Sequence, residues 1–290
     1  MNRRGLSVLA VSAASRVVVV VNRARCMSRP IIALLTDFGV ADHYVGAMKG
    51  VMLGVCPDAT LVDISHDVPA HDVLAGALEL AASYRYFPAG TVFLAVVDPG
   101  VGSPRRALAA EAGDYRFVAP DNGLLTMVLD EMAPHQVVEL SERKYARPTI
   151  SRTFEGRDRF APAAAWLAGG LELAALGTPA GPVLRLDMPR PSVTTAGIDG
   201  EVVRVDRFGN LITNIDRQTF HAVRGEEAFA VHIASHPVAR VVSAYADVAP
   251  GELCALFGSS DHLEIAVRGA SAAIRLGAGR GAAVHVGRPA

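Results

Sequence analysis

The chain has 290 residues, a length that suits two domains, and 51% of them are apolar, which is enough for a substantial core. Charged residues make up 20%, the formal net charge is −1 and no basic stripe occurs, so nucleic acid is not an expected partner. No uninterrupted run of about 18 apolar residues exists, so no membrane span is expected. The three cysteines lack metal-ligand or disulfide spacing, which favours a reduced, cytoplasmic setting.

The first 28 residues hold two apolar runs flanked by arginines, a superficial likeness to an export signal. Arg16 interrupts that pattern, and Met27 lies directly before the first predicted strand. Residues 1–28 are therefore predicted to be a non-native or disordered extension, with Met27 as the native start. An export signal, with Met1 as the start, is the alternative.

Strands and helices alternate along the first half of the chain. Ile31–Thr36 is an apolar run typical of a buried strand, and Val45, Met48 and Met52 form the stripe of a following helix, with Asp42 as its predicted N-cap. Further strands are predicted at 60–64, 91–97, 107–111 and 116–119, and further helices at 72–84 and 160–167. This alternation predicts parallel βαβ units, and so an α/β domain with a mainly parallel sheet.

The pattern changes in the second half. Prolines and glycines accumulate between 177 and 191, which predicts a linker there, and the two domains are placed at 29–180 and 195–290. Short alternating strands follow, at 201–205, 228–233, 239–245, 253–257, 263–267 and 282–286. They predict a smaller, all-β C-terminal domain, a barrel or a sandwich.

A carboxylate follows the strand at 91–97, in the segment Asp98-Pro-Gly-Val-Gly-Ser-Pro-Arg105. Ligands of open α/β sheets bind where strands end, so Asp98 is a candidate site residue that Arg105 would fix by pairing. A structural salt bridge closing the turn is the alternative. A dinucleotide fingerprint is not expected, because Arg105 occupies the third glycine position of that motif.

Other polar residues stand at predicted strand ends or helix starts. In the first domain they are Asp37, Asn122 and the run Glu155 to Asp158; in the second they are Asp206 to Asn210, and Asn214. Carboxylates suit ribose hydroxyls or a cationic ligand, amides suit a base edge, and an aromatic ring suits stacking. No phosphate loop, zinc spacing or nucleophile elbow is present, so a nucleoside is favoured over a nucleotide. These residues predict a binding site without identifying a reaction.

Six motifs in order carry a resemblance to a known family: Thr36-Asp-Phe-Gly39, Tyr44-Val-Gly-Ala-Met-Lys49, Asp98-Pro-Gly-Val-Gly102 with Arg105, Pro120-Asp-Asn-Gly123, Phe154-x-Gly-Arg-Asp158, and Phe208-Gly-Asn210 with Asn214. The chain resembles the S-adenosyl-L-methionine (SAM) hydroxide adenosyltransferases, adenosine-forming SAM hydrolases related to SAM-dependent fluorinases and chlorinases. The resemblance implies an α/β domain followed by a β-barrel, and a homotrimer with active sites at subunit interfaces. It implies attack of water or hydroxide on C5′ of SAM, giving adenosine and L-methionine, with no cofactor and no metal.

The resemblance also implies roles for single residues. Substrate contacts are implied for Asp37 (ribose hydroxyls), Asn122, Asp206 (methionine ammonium), Phe208 and Asn210 (adenine), and Ser259 and Ser260 (near the methionine carboxylate). Asp98 and Arg105 match two members of a water-positioning Asp-Arg-His triad. Halide-using relatives differ at the Asp98 motif, which places this chain with the hydrolases.

The third triad member departs from the family, because Glu155 stands where the histidine is expected. Glu155 is either the acceptor of the water proton or an inert partner of Arg105, and His66 or His71 is an alternative substitute. Three functions therefore stay open: a SAM hydrolase, a SAM- or adenosine-binding protein that has lost catalysis, and a SAM-dependent halogenase.

Overall fold

The computed structural model describes residues 29–224 and 229–287. The predicted N-terminal extension, residues 1–28, lies outside the described residues. Within the two described ranges, no helix is long and apolar enough to cross a membrane.

The N-terminal domain is a seven-stranded mixed sheet with helices on both faces. The strands stand in the order β2-β1-β3-β5-β4-β6-β7; β2, β1, β3 and β5 are parallel, and β4, β6 and β7 are antiparallel to their neighbours. The elements are β1 (Ile31–Thr36), α1 (Tyr44–Val55), β2 (Thr60–Ser65), α2 (Val73–Ser83), β3 (Val92–Val96), β4 (Ala107–Ala112), β5 (Tyr115–Pro120), α3 (Thr126–Glu131), β6 (Pro134–Glu139), α4 (Ala161–Ala168) and β7 (Thr178–Pro179).

Burial on both faces explains why the parallel strands are apolar throughout. In β1, Ile32 and Leu34 pack with α1 and α4, whereas Ala33 and Leu35 pack on the opposite face with α2 and α3. The core therefore has two layers, and the polar residues that end the strands remain at one edge of the sheet.

The helices lie where they were predicted, but one predicted N-cap residue was wrong. Val45, Met48 and Met52 are the buried residues of α1, as the stripe predicts. The N-cap prediction for Asp42 was wrong: His43 occupies that position in a helical conformation, with no side-chain cap. The N-cap of α2 is Asp72, whose Oδ1 accepts from the Ala75 amide at 3.0 Å.

The C-terminal domain is a nearly closed, antiparallel, barrel-like sheet in the order β12-β11-β15-β9-β10-β14-β13, with β8 paired to β9. After β12 the chain runs beside β13, where Ala255 hydrogen-bonds with Arg240 and Val242, which brings the two ends of the sheet together. The elements are β8 (Ser192–Thr194), β9 (Gly197–Val205), β10 (Leu211–Asp216), α5 (Arg217–Arg224), β11 (Ala230–Ile233), β12 (His236–Val238), β13 (Leu253–Phe257), β14 (His262–Val267), α6 (Ala272–Leu276) and β15 (Ala283–Gly287).

One strand prediction in this domain was wrong, and three strands, β8, β10 and β12, were not predicted. Residues 239–245 form a single bridge at Val241 and then a 3-10 turn, Tyr245–Asp247, instead of a strand. The strand β10 was missed because buried Thr213 breaks its apolar pattern; its hydroxyl donates to the Leu263 carbonyl at 2.8 Å.

The barrel rests on α2 of its own chain. Arg204 pairs with Glu79 at 2.6 Å, and Arg280 pairs with Asp72 at 2.7 Å. Residues 180–191, within the predicted linker, contain no helix or strand. The two ion pairs fix which side of the N-terminal domain the barrel faces.

Candidate active site

Three predicted site residues follow three adjacent parallel strands. Asp37 comes directly after β1, Asp98 lies two residues beyond β3, and Asn122 lies two residues beyond β5. The register pairs Thr36 with Val96, so Asp37 and Asp98 leave the sheet side by side. The Asn122 side chain donates to the Val97 carbonyl at 2.8 Å and accepts from the Leu124 amide, so its amide braces the segment before Asp98. We call this edge of the sheet the rim.

Arg105 lies at the centre of a buried charged cluster on the rim. Its Nε donates to Asp98 Oδ1 at 2.8 Å and its Nη2 to Asp98 Oδ2, a bidentate pair. The same Nη2 donates to Glu155 Oε2 at 2.5 Å. The side chains of Arg105, Asp98 and Glu155 are 9%, 4% and 12% exposed. Burial opposes the charge on Arg105, but the two carboxylates outweigh it and raise the pKa of the guanidinium.

The loop and helix turn that carry these residues are held against each other. Gly102 has φ +76°, and a Cβ there would collide with the Arg152 carbonyl, so glycine is required where the two segments meet. Glu155 begins a helix whose first turn, Gly156–Phe160, is π-helical and continues into α4. Such turns are frequent at functional sites because they displace side chains from the regular helix face.

Asp158 fixes the segment that precedes Glu155. It is fully buried, and its carboxylate accepts from Arg157 at 2.7 and 2.8 Å and from the Ser151 amide at 2.9 Å. Burial alone raises the pKa of this carboxyl, but the donors outweigh burial and leave the pKa below its ordinary value. The ionised form therefore stabilises the fold.

We expect Asp158→Asn to lower the free energy of unfolding at pH 7 by about 2 kcal/mol, because charge-assisted hydrogen bonds are lost. A lowered folded-state pKa contributes stability above the unfolded-state pKa, about 3.9, and that contribution is lost as the pH falls through the folded-state pKa. The difference between parent and variant should therefore shrink below about pH 4. Urea unfolding at pH 7 and below pH 4 measures it. Asp130→Asn, at an exposed pair with Arg185, is the control. Equal losses for both variants would contradict the role of Asp158.

Two histidines next to the rim differ in what they can do. His66 is 5% exposed, with Nδ1 at 2.8 Å from the Thr36 hydroxyl and Nε2 at 3.0 Å from Asp63 Oδ1. Its burial between Thr36 and Asp63 disfavours His66 as a substitute for the triad histidine. His71 has φ +68° and donates its backbone amide to Asp37 Oδ2 at 2.8 Å. The His71 loop therefore orients the Asp37 carboxylate.

A second group of predicted residues lines a cavity of about 950 Å³ in the C-terminal domain, including Asp206, Phe208, Asn210 and Ser259. Asp206 folds the β9–β10 turn around itself: Oδ1 accepts from the amides of Phe208 and Asn210 at 2.9 and 2.8 Å, and Oδ2 accepts from the Asn210 side chain at 2.9 Å. Phe208 is 77% exposed at the tip of the turn, available for stacking.

Ser259 and Ser260 occupy the β13–β14 turn. Both line a smaller pocket between α2, α3 and the barrel, and Ser259 also lines the cavity. Sequence reasoning missed Tyr245, Glu264 and Arg268, which also line the cavity. One sequence feature could have indicated this part of the cavity: Glu264 is the single acidic residue in the apolar run 263–267.

The rim and the cavity share no polar contact within residues 29–224 and 229–287 of one chain: no hydrogen bond or ion pair joins the predicted rim residues to the predicted cavity residues. One set offers carboxylates and a guanidinium, and the other an aromatic face, an amide and a carboxylate. Together they offer what a nucleoside with a cationic substituent needs.

Comparison with known proteins decides the family. The SAM hydroxide adenosyltransferase N-terminal domain matches residues 32–177, and the C-terminal domain of the same family matches residues 200–285. The chain belongs to the SAM hydroxide adenosyltransferase family. This membership confirms the resemblance drawn from the six motifs.

Relatives within the family carry two activities in their names. An (R)-S-adenosyl-L-methionine hydrolase from Salinispora tropica is 41% identical over 86% of this chain and 94% of its own length. A second (R)-S-adenosyl-L-methionine hydrolase, from Thermus thermophilus, is 39% identical over 89% of this chain and 99% of its own length. A fluorinase from an Actinoplanes species is 34% identical over 65% of this chain and 72% of its own length.

Solved structures support the same family fold. The crystal structure of an uncharacterized conserved protein from Thermotoga maritima is 36% identical, covers 88% of this chain and 99% of its own, and superposes with a TM-score of 0.83. Against the family's Asp-Arg-His pattern, this member holds Asp98 and Arg105 in contact and places Glu155 on the same guanidinium.

Proposed function

We propose that this chain hydrolyses SAM to adenosine and L-methionine by attack of water at C5′. The observation that carries the proposal is the match of both family domains to a chain whose Asp98–Arg105–Glu155 cluster is intact and buried. The two hydrolase relatives are 41% and 39% identical to this chain, whereas the fluorinase is 34% identical. Hydrolysis is therefore favoured over halide transfer.

The reaction is a displacement at carbon. A lone pair of the water oxygen forms the new C5′–O bond, the C5′–S bond breaks, and its electron pair returns to sulfur as the neutral thioether of methionine. The water must lose one proton. Positioning the water in line with the C–S bond and excluding bulk solvent from the sulfonium lower the barrier.

The rim supplies the groups for this step. Arg105 donates to Asp98 and Glu155 through Nε and Nη2, and to the Arg106 carbonyl through Nη1, so it holds the two carboxylates in place. We assign Glu155 as the acceptor of the water proton, since it is the less buried of the two carboxylates. The buried anions disfavour an anionic nucleophile, which weighs against halide and free hydroxide.

Incubation with SAM followed by chromatography tests the proposal. Adenosine and methionine in equal amounts support hydrolysis; SAM that is bound but intact supports a binding protein. Parallel samples with chloride or fluoride reveal a halogenase through 5′-halo-adenosine. Because the hydrolase relatives are named for the (R) sulfonium epimer, both epimers are assayed separately.

We expect Asp37→Ala to weaken SAM binding roughly tenfold or more, because hydrogen bonds from the ribose hydroxyls to a carboxylate are worth about 1.5–3 kcal/mol. Asp37→Asn, which keeps an acceptor for the His71 amide, separates loss of charge from loss of the loop contact. Titration calorimetry measures affinity, and circular dichroism checks the fold. Unchanged affinity in a folded Asp37→Ala variant would remove Asp37 from the site.

We also propose that the active site is completed between subunits of a homotrimer. The support is that no hydrogen bond or ion pair joins rim and cavity within the described residues of one chain, together with large apolar side chains left exposed beside each: Val40 at 76% and Phe208 at 77%. Docking one subunit's cavity on its neighbour's rim would bury both residues and exclude water from the sulfonium.

Assembly makes a separate prediction. Phe208→Asp should shift the protein toward monomer and cut activity by at least about tenfold, because a charge replaces an aromatic contact in a desolvated interface. Light scattering measures the mass, with Tyr86→Asp as a control at an exposed aromatic residue. A fully active monomer at assay concentration would contradict the shared site.

A cytoplasmic location is proposed as well. Cys56 and Cys254 are both buried and free, which suits a reducing compartment. Cell fractionation of the natural host, with an antibody to this chain, tests it; recovery from outside the cytoplasm would reject it.

A further inference from the structure

The cavity contains a buried carboxylate for which the proposed reaction has no use. Glu264 lies on β14 and is 7% exposed. Its neighbours Leu263 and Ile265 face the barrel core, so Glu264 points to the other face and lines the cavity. Burial raises the pKa of its carboxyl. A buried carboxyl is costly unless it is hydrogen-bonded, so its partners indicate its role.

The backbone beside Glu264 leaves space for the carboxyl group. A Cβ at Gly258 would collide with Glu264 Oε1, and Gly258 has no positive φ that would otherwise require glycine. The glycine therefore leaves room for the carboxyl group in its observed position, and the turn itself does not require it.

A chain of hydrogen bonds leads from Glu264 to the β9–β10 turn. The Tyr245 hydroxyl donates to Glu264 Oε2 at 2.8 Å, and Asn210 Nδ2 donates to the Tyr245 oxygen at 3.4 Å and to Asp206 Oδ2 at 2.9 Å. Burial and the bond to Glu264 raise the pKa of Tyr245, so the phenol stays protonated at neutral pH. Its single proton is directed at Glu264, which leaves lone pairs facing Asn210.

The two acceptors fix the orientation of the Asn210 amide. A carboxylate only accepts, and so does a phenol oxygen whose proton is already donated; both must therefore face Nδ2 and not Oδ1. In the described part of the chain no group donates to Asn210 Oδ1, and this oxygen is not sealed from the cavity. A ligand group that faces it has to be a donor.

We propose that Glu264 and Tyr245 are positioning residues that hold the Asn210 amide with its oxygen toward the bound base, so that the site selects a 6-amino purine over a 6-oxo purine. This inference rests on the proposed function, which brings an adenosyl group into the cavity. An exocyclic amine donates to Oδ1, whereas a 6-oxo group would set oxygen against oxygen. Glu264 acts by directing the Tyr245 proton away from Asn210.

The test compares adenosine with inosine, which differ at position 6, by titration calorimetry. The parent should prefer adenosine by roughly tenfold or more. Glu264→Gln keeps an oxygen acceptor for Tyr245 and should retain this preference. Glu264→Leu removes the acceptor and should lower the preference at least about fivefold. In steady-state kinetics, Glu264→Leu should raise KM for SAM several-fold while kcat stays within about twofold.

A double variant separates positioning from stability. Tyr245→Phe with Glu264→Leu removes both partners, so no carboxyl group is left buried without its donor and the fold should be as stable as the parent. It should still lose the preference for adenosine, because the Asn210 amide has lost one acceptor. Tyr86→Phe, at an exposed residue that does not line the cavity, should not change the preference for adenosine.

The outcomes distinguish this inference from the proposed function. Equal affinity of the parent for both nucleosides, retention of the preference by the double variant, or equal losses for the Gln and Leu variants would each overturn the positioning role. Loss of the preference in the Glu264→Leu and double variants would support the positioning role even if the parent releases no adenosine from SAM, a result that would refute hydrolysis alone. A parent that binds neither nucleoside would overturn the positioning role, whereas release of adenosine from SAM would still support hydrolysis.

Discussion

Arg105→Met should abolish hydrolysis and lower the free energy of unfolding by about 3–5 kcal/mol. The substitution leaves Asp98 buried with no cation and Glu155 with only Arg159, at 3.5 Å, and removing one partner of a buried ion pair costs that much because a buried charge is left uncompensated. Arg105 also lies over the Phe160 ring at 5.1 Å, so packing against the π-helical turn is lost as well. Urea unfolding and the SAM assay measure the two effects.

Two further variants separate the charge of Arg105 from its geometry and its burial. Arg105→Lys keeps the charge but not the bidentate geometry, so its stability should be intermediate and its activity low. Arg85→Met removes an arginine of similar size from an exposed pair with Glu131 and should cost less than about 1 kcal/mol. Equal effects of Arg85→Met and Arg105→Met, or full activity without Arg105, would contradict the central role given to this guanidinium.

The rim could be predicted from sequence because its signals are local. An apolar run buried on both faces ends where a carboxylate follows, and this rule placed Asp37 and Asp98 correctly on neighbouring strands. The pairing of Asp98 with Arg105 follows from a short turn between them. The contact between Arg105 and Glu155 joins residues 50 positions apart, and only the resemblance to a family linked them in advance.

The cavity could be predicted only in part because it depends on barrel closure. Tyr245 reaches Glu264 because residues 240–242 run beside β13, a pairing that no sequence period encodes. The same geometry explains why the strand predicted at 239–245 was wrong: its alternation was real, but only Val241 finds a partner. Likewise, Thr213 appeared polar in sequence and is buried in the structure, since its hydroxyl is satisfied by the Leu263 carbonyl.

The departure from the family pattern at Glu155 predicts the second large effect. Glu155→Gln should reduce turnover on the order of 10²-fold or more with little change in SAM affinity, because it removes basicity and keeps size. The variant still presents an oxygen to Arg105 in place of the one now accepting at 2.5 Å, so the cluster should remain assembled. Single-turnover kinetics and calorimetry separate the chemical step from binding.

Glu155→His gives the complementary result. It restores the family's Asp-Arg-His set, so the variant should hydrolyse SAM. Its activity should decrease as the pH is lowered through the titration range of an imidazole, about 6–7, because a protonated imidazole cannot accept the water proton. If the Glu155→His variant hydrolyses SAM and the parent only binds it, the glutamate at position 155 is the reason that the parent lacks catalysis. If Glu155→Gln turns over SAM as fast as the parent, Glu155 is not the proton acceptor. The water would then be positioned by Asp98 and Arg105 alone or by His71, since His66 is buried between Thr36 and Asp63.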